Sequence, residues 1–170
     1  MKRILFLLYG IVAYLFFIGT ILYAIGFTGN LVVPKTIDGV PQVSLAAAIT
    51  INIALIFLFA LQHSILPRAR LFKILPLPVE RSTFVLTGSG CMLLLMWLWQ
   101  PMGGTIWSVT GLAGKGFLQF FFFLGWGLVF ISTLLVNHFD LFGLRQVWMH
   151  YQGKPYEQLT VRTPMFYRFV

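Results

Sequence analysis

The stretch of sequence that decides the fold is residues 4–27, ILFLLYGIVAYLFFIGTILYAIGF. It carries no charge, and at 1.5 Å rise per residue a helix of these 24 residues is roughly 36 Å long. Such a helix crosses a bilayer with some tilt. Lys2 and Arg3 precede it as in a signal peptide, but it is much longer than the apolar core of a signal, which has about 7–15 residues. We therefore predict a retained transmembrane helix.

The composition of the whole chain also indicates an integral membrane protein. Of the 170 residues, 59% are hydrophobic and 9% are charged, whereas a soluble domain carries about 25% charged residues. The net charge of +8 would suggest a nucleic-acid partner in a soluble protein, but here it is explained by loops that face the cytoplasm. The expected partner is the lipid bilayer, and no nucleic acid is expected. One cysteine and three histidines exclude a disulfide framework, a cysteine-rich zinc site and a multi-histidine metal box.

Three further apolar runs predict three more transmembrane helices, at residues 45–66, 83–99 and 117–136. Ser44 and Ser82 are the expected N-caps of the first two, and Pro67 ends the helix that begins at residue 45. Four consecutive phenylalanines, residues 120–123, are typical of lipid-facing or packing positions, with an aromatic box for a cationic cofactor as the alternative. The predicted fold class is an all-α integral membrane protein whose residues 1–170 form a single domain.

After the fourth run, an amphipathic segment predicts an interfacial helix at about residues 140–152. Asp140 is its expected cap, and Gly153 and Pro155 end it. Its apolar positions follow helical spacing: Leu141, Leu144, Val147, Trp148 and Tyr151.

The orientation follows from the distribution of lysine and arginine. With the N-terminus in the cytoplasm, ten of the twelve basic residues face the cytoplasm, and only Lys35 and Lys115 lie outside. We predict that both termini are cytoplasmic and that the membrane is the bacterial inner membrane. All three histidines then fall on the cytoplasmic side, so any active site is expected to face the cytoplasm.

Polar residues at the ends of the apolar runs are the candidates for chemistry. His63 is either a partner of the helix dipole or a residue that orients a polar ligand. Asp140 forms either a local ion pair with Arg145 or a hydrogen bond that holds His138 as a base. A haem or metal site on His63 and His138 is a further alternative, but neither histidine belongs to a recognisable ligand motif.

Several strings of sequence resemble the methanethiol S-methyltransferase family, which belongs with the isoprenylcysteine carboxyl methyltransferases and the NnrU-like membrane proteins. The longest is Asn137-His138-Phe139-Asp140-Leu141-Phe142-Gly143-Leu144-Arg145-Gln146-Val147. The others are Gln62-His63-Ser64 with Arg68 and Arg70, Glu80-Arg81-Ser82-Thr83, and Arg162-Thr163-Pro164 with Tyr167. The first helix matches only in being apolar.

The resemblance implies methyl transfer from S-adenosylmethionine to a small thiol, from methanethiol to dimethyl sulfide. It makes His138 held by Asp140, or His63, the expected base for the thiol. Arg81 and Arg145 are expected to position the carboxylate of the cofactor or a structural acid, and no metal is implied. A small apolar thiol would arrive at a phenylalanine-rich pocket from the membrane side. The alternative function is a non-catalytic, NnrU-like accessory membrane protein.

The chain departs from the family at its C-terminal end. In the family, the segment that matches residues 162–170 runs into an Arg-His-Pro motif that holds the cofactor. Arg162 and Tyr167 match the approach to that motif and are expected cofactor-binding residues, but the chain stops at Val170. We expect a fragment that lacks the C-terminal part of the cofactor site. The sequence leaves the oligomeric state and the choice among small thiols open.

Overall fold

The computed structural model describes residues 1–65 and 71–157, and this part of the chain contains helices and no strand. The four long helices are α1 (Lys2–Gly29), α2 (Leu45–Ala60), α3 (Leu77–Leu98) and α4 (Leu112–Val136). Helix α2 continues as a π-helix, Leu61–Ile65, and a 3-10 helix, Leu71–Ile74, precedes α3. Two short helices follow, α5 (His138–Leu141) and α6 (Leu144–Tyr151). All four long helices are long and apolar enough to cross a membrane, which confirms the predicted all-α membrane fold.

Two helix starts differ from the prediction because the first turn of each helix contains a charged residue, Glu80 or Lys115. Helix α3 begins at Leu77 instead of residue 83, with Pro78 in its first turn, where the absent N–H is not needed. The predicted cap Ser82 is therefore wrong, since it is buried inside the helix. Helix α4 begins at Leu112 instead of residue 117 and includes Lys115. The predicted cap Ser44 is confirmed, because its side chain accepts a hydrogen bond from the amide of Ala47.

Helices α1 and α3 run parallel to each other through the centre of the bundle. Near their N-terminal ends, the hydroxyls of Tyr9 and Thr83 are 2.9 Å apart. At the other end, the rings of Phe27 and Trp99 meet edge to face, with centroids 6.2 Å apart. Small side chains such as Ala13, which is fully buried, let the backbones of the helices approach closely.

Helix α2 runs antiparallel to α3 and is joined to it by two buried amides. The side chain of Asn52 donates to the carbonyl of Gln100 at 2.8 Å and accepts from its amide at 2.9 Å, just beyond the end of α3. At the other end of α2, Gln62 donates to the hydroxyl of Thr87 at 3.0 Å. These bonds satisfy the amide of Asn52 and the amide nitrogen of Gln62, which would otherwise be unpaired in an apolar bundle.

Helix α4 contributes no buried residue to the bundle. Of its four consecutive phenylalanines, Phe120, Phe121 and Phe123 are more than half exposed, and Phe122 approaches Gly29 at the end of α1. Such exposure is what a lipid-facing surface requires.

The segment after α4 folds back along the N-terminal half of α1, antiparallel to it. Val147 packs against Gly10, and the ring of His150 lies 5.4 Å from that of Phe6. The predicted single helix over residues 140–152 is wrong in its start, because α6 begins only after Gly143 and Asp140 lies in the separate helix α5. The apolar face of α6 packs on α1, and its position relative to the bilayer interface stays a prediction.

Candidate functional site

The candidate site is built around α5. Two residues with positive φ separate this helix from α4 and α6. Asn137, with a φ of 97°, ends α4 in a left-handed conformation that asparagine tolerates better than most residues. Gly143, with a φ of 86°, separates α5 from α6. These two breaks turn the chain so that His138 points back to the middle of α1. Its partner there, Tyr14, lies roughly 18 Å along the helix axis from Lys2.

His138 is buried, with 5% of its surface exposed, and both of its ring nitrogens have hydroxyl partners. Its Nε2 is 2.7 Å from the hydroxyl of Tyr14, and its Nδ1 is 2.8 Å from the hydroxyl of Thr133. Three phenylalanine rings surround the imidazole with centroids 4.8 to 5.7 Å away: Phe142, Phe139 and Phe130. Burial lowers the pKa of His138 from its ordinary value of 6.5, so the imidazole is neutral at pH 7.

The hydrogen bonds around His138 define its tautomer. The hydroxyl of Thr133 donates its one proton to the carbonyl of Phe130, at 2.7 Å. Its oxygen is then the acceptor for Nδ1–H of His138, since a hydroxyl has a single proton to give. Nε2 is left with the lone pair, and the hydroxyl of Tyr14 donates to it.

Asp140 is the centre of a second, charged group of residues. Its Oδ1 accepts from Nη1 of Arg145 at 3.3 Å and from the hydroxyl of Tyr156 at 2.9 Å. Arg145 also donates to the carbonyl of Glu157, at 3.1 Å. Burial, together with the hydrogen bond to Asp140, raises the pKa of the Tyr156 phenol, so it stays protonated and donates. Asp140 is thus held by Arg145 and Tyr156, and the predicted hydrogen bond between Asp140 and His138 is wrong.

Arg81 links α3 to this group. Its Nε donates to the carbonyl of Leu141, the last residue of α5, at 2.7 Å, and its guanidinium lies 5.3 Å from the ring centroid of Phe84. Within the described ranges, its two terminal Nη groups have no hydrogen-bond partner, in contrast to Nη1 of Arg145, which has two. Arg81 therefore has donors for a further acceptor next to α5.

Two buried polar oxygens near the same helix also lack a partner in residues 1–65 and 71–157. They are Oγ of Ser82, on the fully buried residue beside Arg81, and Oε1 of Gln146. Gln146 itself is held by its amide, which donates to the backbone of Asp140 and to the hydroxyl of Tyr156. Buried acceptors without partners are uncommon in proteins, and a bound ligand is one way to satisfy them.

The other predicted site residues are not brought to α5 by the described structure. His63 is exposed and stacks on Phe59, with ring centroids 5.4 Å apart, and its neighbour Gln62 takes the buried position instead. Arg162 and Tyr167 lie outside the described residues. The described part of the chain holds no group of three or more histidine, cysteine, aspartate or glutamate side chains that is suited to a metal ion.

Tyr14, Thr133 and Tyr156 were not among the site residues predicted from the sequence. Tyr14 lies within an apolar run and is 124 positions from His138, so no local spacing indicates the contact. Thr133 offered a hint, because it is a hydroxyl within an apolar run, five residues before His138.

Comparison with curated proteins finds close relatives over the whole chain. The chain is 44% identical to a methanethiol S-methyltransferase of Crocosphaera subtropica and 42% identical to one of Mycobacterium tuberculosis, each over 100% of this chain. It is 49% identical, over 96% of its length, to methanethiol S-methyltransferase 1 of Bradyrhizobium diazoefficiens. The alignments span 68%, 71% and 59% of these three relatives. No protein-family model and no solved structure matches the chain.

The alignments include the first helix, which the motifs alone did not reach, and therefore include the position of Tyr14. The level of identity and the coverage on both sides are sufficient to assign the family. The chain belongs to the methanethiol S-methyltransferase family.

Proposed function

We propose that this protein transfers a methyl group from S-adenosylmethionine to methanethiol and forms dimethyl sulfide. The relatives named above support the reaction, and the observation that carries it is the arrangement around α5. This short helix holds a buried, neutral imidazole at His138 and a charged group at Asp140. The accessory-protein and haem alternatives are not favoured, because the relatives at 42% to 49% identity are all named as methyltransferases.

The reaction requires a proton acceptor and a site from which water is excluded. The thiolate is the nucleophile, so removal of the thiol proton precedes attack, and a neutral imidazole suits that role. The rings of Phe130, Phe139 and Phe142 exclude water from His138. Phe130 and Phe139 are also more than half exposed. They would offer a small apolar thiol a path from the bilayer.

The charged group fits the amino-acid end of S-adenosylmethionine. The terminal donors of Arg81 suit a carboxylate, and Oδ2 of Asp140, which has no partner in the described structure, suits an ammonium group. Arg145 and Tyr156 then position Asp140 instead of binding the cofactor carboxylate directly. When bound, S-adenosylmethionine supplies a methyl group on a sulfonium, ready for in-line transfer. Arg162 and Tyr167 stay candidates for the remainder of this site.

The orientation is proposed from the charge distribution, and the location from the source of the relatives. Both termini are cytoplasmic, because this arrangement leaves only Lys35 and Lys115 outside. The membrane is the bacterial inner membrane, since the relatives named above come from bacteria. The end of the bundle that carries Lys2, Arg3 and the charged group of α5 then faces the cytoplasm, from which a charged, water-soluble cofactor can reach it. The apolar thiol and the charged cofactor thus approach the site from different phases.

The direct test of the function is a product assay with the full-length protein. Membranes that contain it are supplied with methanethiol and S-adenosylmethionine, and dimethyl sulfide is measured in the headspace. We expect product to form at a rate that depends on both substrates. Membranes that contain folded protein and form no dimethyl sulfide would contradict the proposal.

Replacing Arg81 by alanine is expected to weaken binding of S-adenosylmethionine by about 10 to 100-fold, the range for loss of a hydrogen bond between charged groups. The affinity of Arg81→Lys should lie between those of Arg81→Ala and the wild type, because lysine keeps the charge but loses the planar pair of donors. Equilibrium titration of the detergent-solubilised protein measures the affinity. The control is Arg3→Gln, which removes a cation from the exposed start of α1. Equal affinities for Arg81→Ala and Arg3→Gln would remove Arg81 from the cofactor site.

A further inference from the structure

His138 has no nitrogen free to meet a thiol directly. Nδ1–H is donated to Thr133, Nε2 accepts from Tyr14, and only 5% of the residue is exposed. A proton that reaches the imidazole therefore has to pass through one of the two hydroxyls. Thr133 donates its own proton to the carbonyl of Phe130, away from the ring. Tyr14 donates to the one ring nitrogen that has a lone pair. Of the two hydroxyls, only that of Tyr14 can therefore pass a proton to the imidazole.

We propose that Tyr14 is a catalytic residue, and that its hydroxyl takes the proton from the acceptor thiol while its own proton passes to Nε2 of His138. This inference rests on the proposed function. In this step the S–H bond of the thiol breaks and an O–H bond forms at Tyr14. At the same time, the original O–H bond of Tyr14 breaks and an N–H bond forms at Nε2. The products are a thiolate, a neutral tyrosine and an imidazolium, so protons and charge balance.

The surroundings of Tyr14 suit contact with a small apolar thiol. Tyr14 is only partly buried, and its ring lies 6.4 Å from that of Phe17 and 6.3 Å from that of Phe142. Phe17 and Phe142 stack on each other, with centroids 4.0 Å apart, and so form an apolar wall beside the ring of Tyr14. A methyl-bearing sulfur would pack on this wall while its proton faces Tyr14.

Within residues 1–65 and 71–157, no charged side chain forms a hydrogen bond with Tyr14 or His138. Among the titratable groups of the neighbouring elements, Asp140 bonds to Arg145 and Tyr156, and Arg81 bonds to the carbonyl of Leu141. The other tyrosine on this half of α1, Tyr9, bonds to Thr83 on α3. Among the described residues, the proton path therefore consists of Tyr14 and His138, and Thr133 fixes the tautomer of the imidazole.

Tyr14→Phe tests the proposal because it removes the hydroxyl and keeps the ring. We expect the rate of methyl transfer at pH 7 to fall about 10 to 100-fold. This is less than loss of the base itself, since Nε2 of His138 keeps its lone pair. A more acidic acceptor thiol, already ionised at the assay pH, should restore most of the rate, whereas a defect in packing would persist with it. The matched control is Tyr9→Phe, which removes a hydroxyl from the same helix but not from His138 and should keep the wild-type rate.

A spectroscopic measurement separates failure of this inference from failure of the proposed function. In protein labelled with 15N-histidine, the Nε2 resonance of His138 should move downfield in Tyr14→Phe and stay in place in Tyr9→Phe. An unmoved resonance, or equal rates in the two variants, would overturn the role of Tyr14 while leaving the methyltransferase activity intact. A wild-type protein without methyl transfer would instead overturn the proposed function, and the role of Tyr14 with it.

Discussion

Replacing His138 by glutamine is expected to reduce methyl transfer to methanethiol at pH 7 by about 10² to 10⁴-fold, the usual effect of removing a general base. His138 is the neutral acceptor at the end of the path through Tyr14, and glutamine keeps hydrogen-bonding groups but cannot take up the proton. The thiol then stays largely protonated and is a poor nucleophile. The rate is measured as dimethyl sulfide released per folded protein, with folding checked by gel filtration in detergent.

The pH profile distinguishes a base from a structural residue. Because burial lowers the pKa of His138 below 6.5, the wild-type rate should be constant near pH 7 and should fall only at more acidic pH, as the imidazole protonates. His138→Gln should lose this fall in rate at acidic pH, and its rate should instead rise with pH as the free thiol ionises.

The contribution of His138 to the free energy of unfolding also decreases at acidic pH. An unfolded histidine binds a proton near pH 6.5 and the buried one binds it at lower pH, so His138 favours the fold above pH 6.5 and loses this contribution as the pH decreases.

The control for this variant is His150→Gln, on α6. His150 contacts Phe6 and lies a turn beyond the part of α6 that packs near α5. It should retain the wild-type rate and the wild-type pH profile. A His138→Gln protein that turns over as fast as His150→Gln would show that another group, or the solvent, removes the thiol proton.

Much of the fold follows from the sequence, because apolar runs in a membrane protein have few alternatives to a helix. The runs at residues 4–27 and 45–66 correspond to α1 and to α2 with its π-helical extension. The starts of α3 and α4 were missed, since the first turn of a helix is where charged residues such as Glu80 and Lys115 are tolerated, and an apolar window excludes them. The predicted single helix over residues 140–152 was wrong at Gly143, because a residue with positive φ ends a helix whatever the amphipathic spacing around it.

The candidate site was predicted only as far as short-range spacing allows. Asp140 and Arg145 are close in sequence and form the ion pair that was one of two alternatives. Asp140 and His138 are two residues apart, and side chains at this spacing point to different sides of a helix, so the hydrogen bond between them was a poor expectation. Tyr14 and Arg81 reach α5 from other helices. Such contacts depend on how helices pack, and one sequence gives no direct measure of that.

Gly143→Ala is expected to have the largest effect on folding, because Gly143 has both an unfavourable φ for other residues and no room for a side chain. At its φ of 86°, an L-residue costs about 1–2 kcal/mol. A Cβ would also lie 2.7 Å from Oγ of Ser82 and 2.8 Å from the backbone nitrogen of Ser82. Overpacking of this kind costs about 1–3 kcal/mol more. The total is a large part of the stability of a typical domain, about 5–15 kcal/mol.

The damage from Gly143→Ala should extend to the site, since Gly143 is where α5 and α6 touch the backbone of α3. Moving them away from Ser82 stretches the hydrogen bond from Arg81 to Leu141, so the little protein that folds should also bind S-adenosylmethionine weakly. Gly104→Ala separates the two causes: Gly104 has a φ of +75°, but a Cβ there would meet nothing within 4 Å. It should lower the midpoint of thermal unfolding slightly, while Gly143→Ala lowers both the midpoint and the yield of folded protein strongly. Equal decreases in the midpoint and in the yield of the two variants would mean that backbone strain alone destabilises them. In that case α5 is not held against α3 as closely as the contacts of Gly143 indicate.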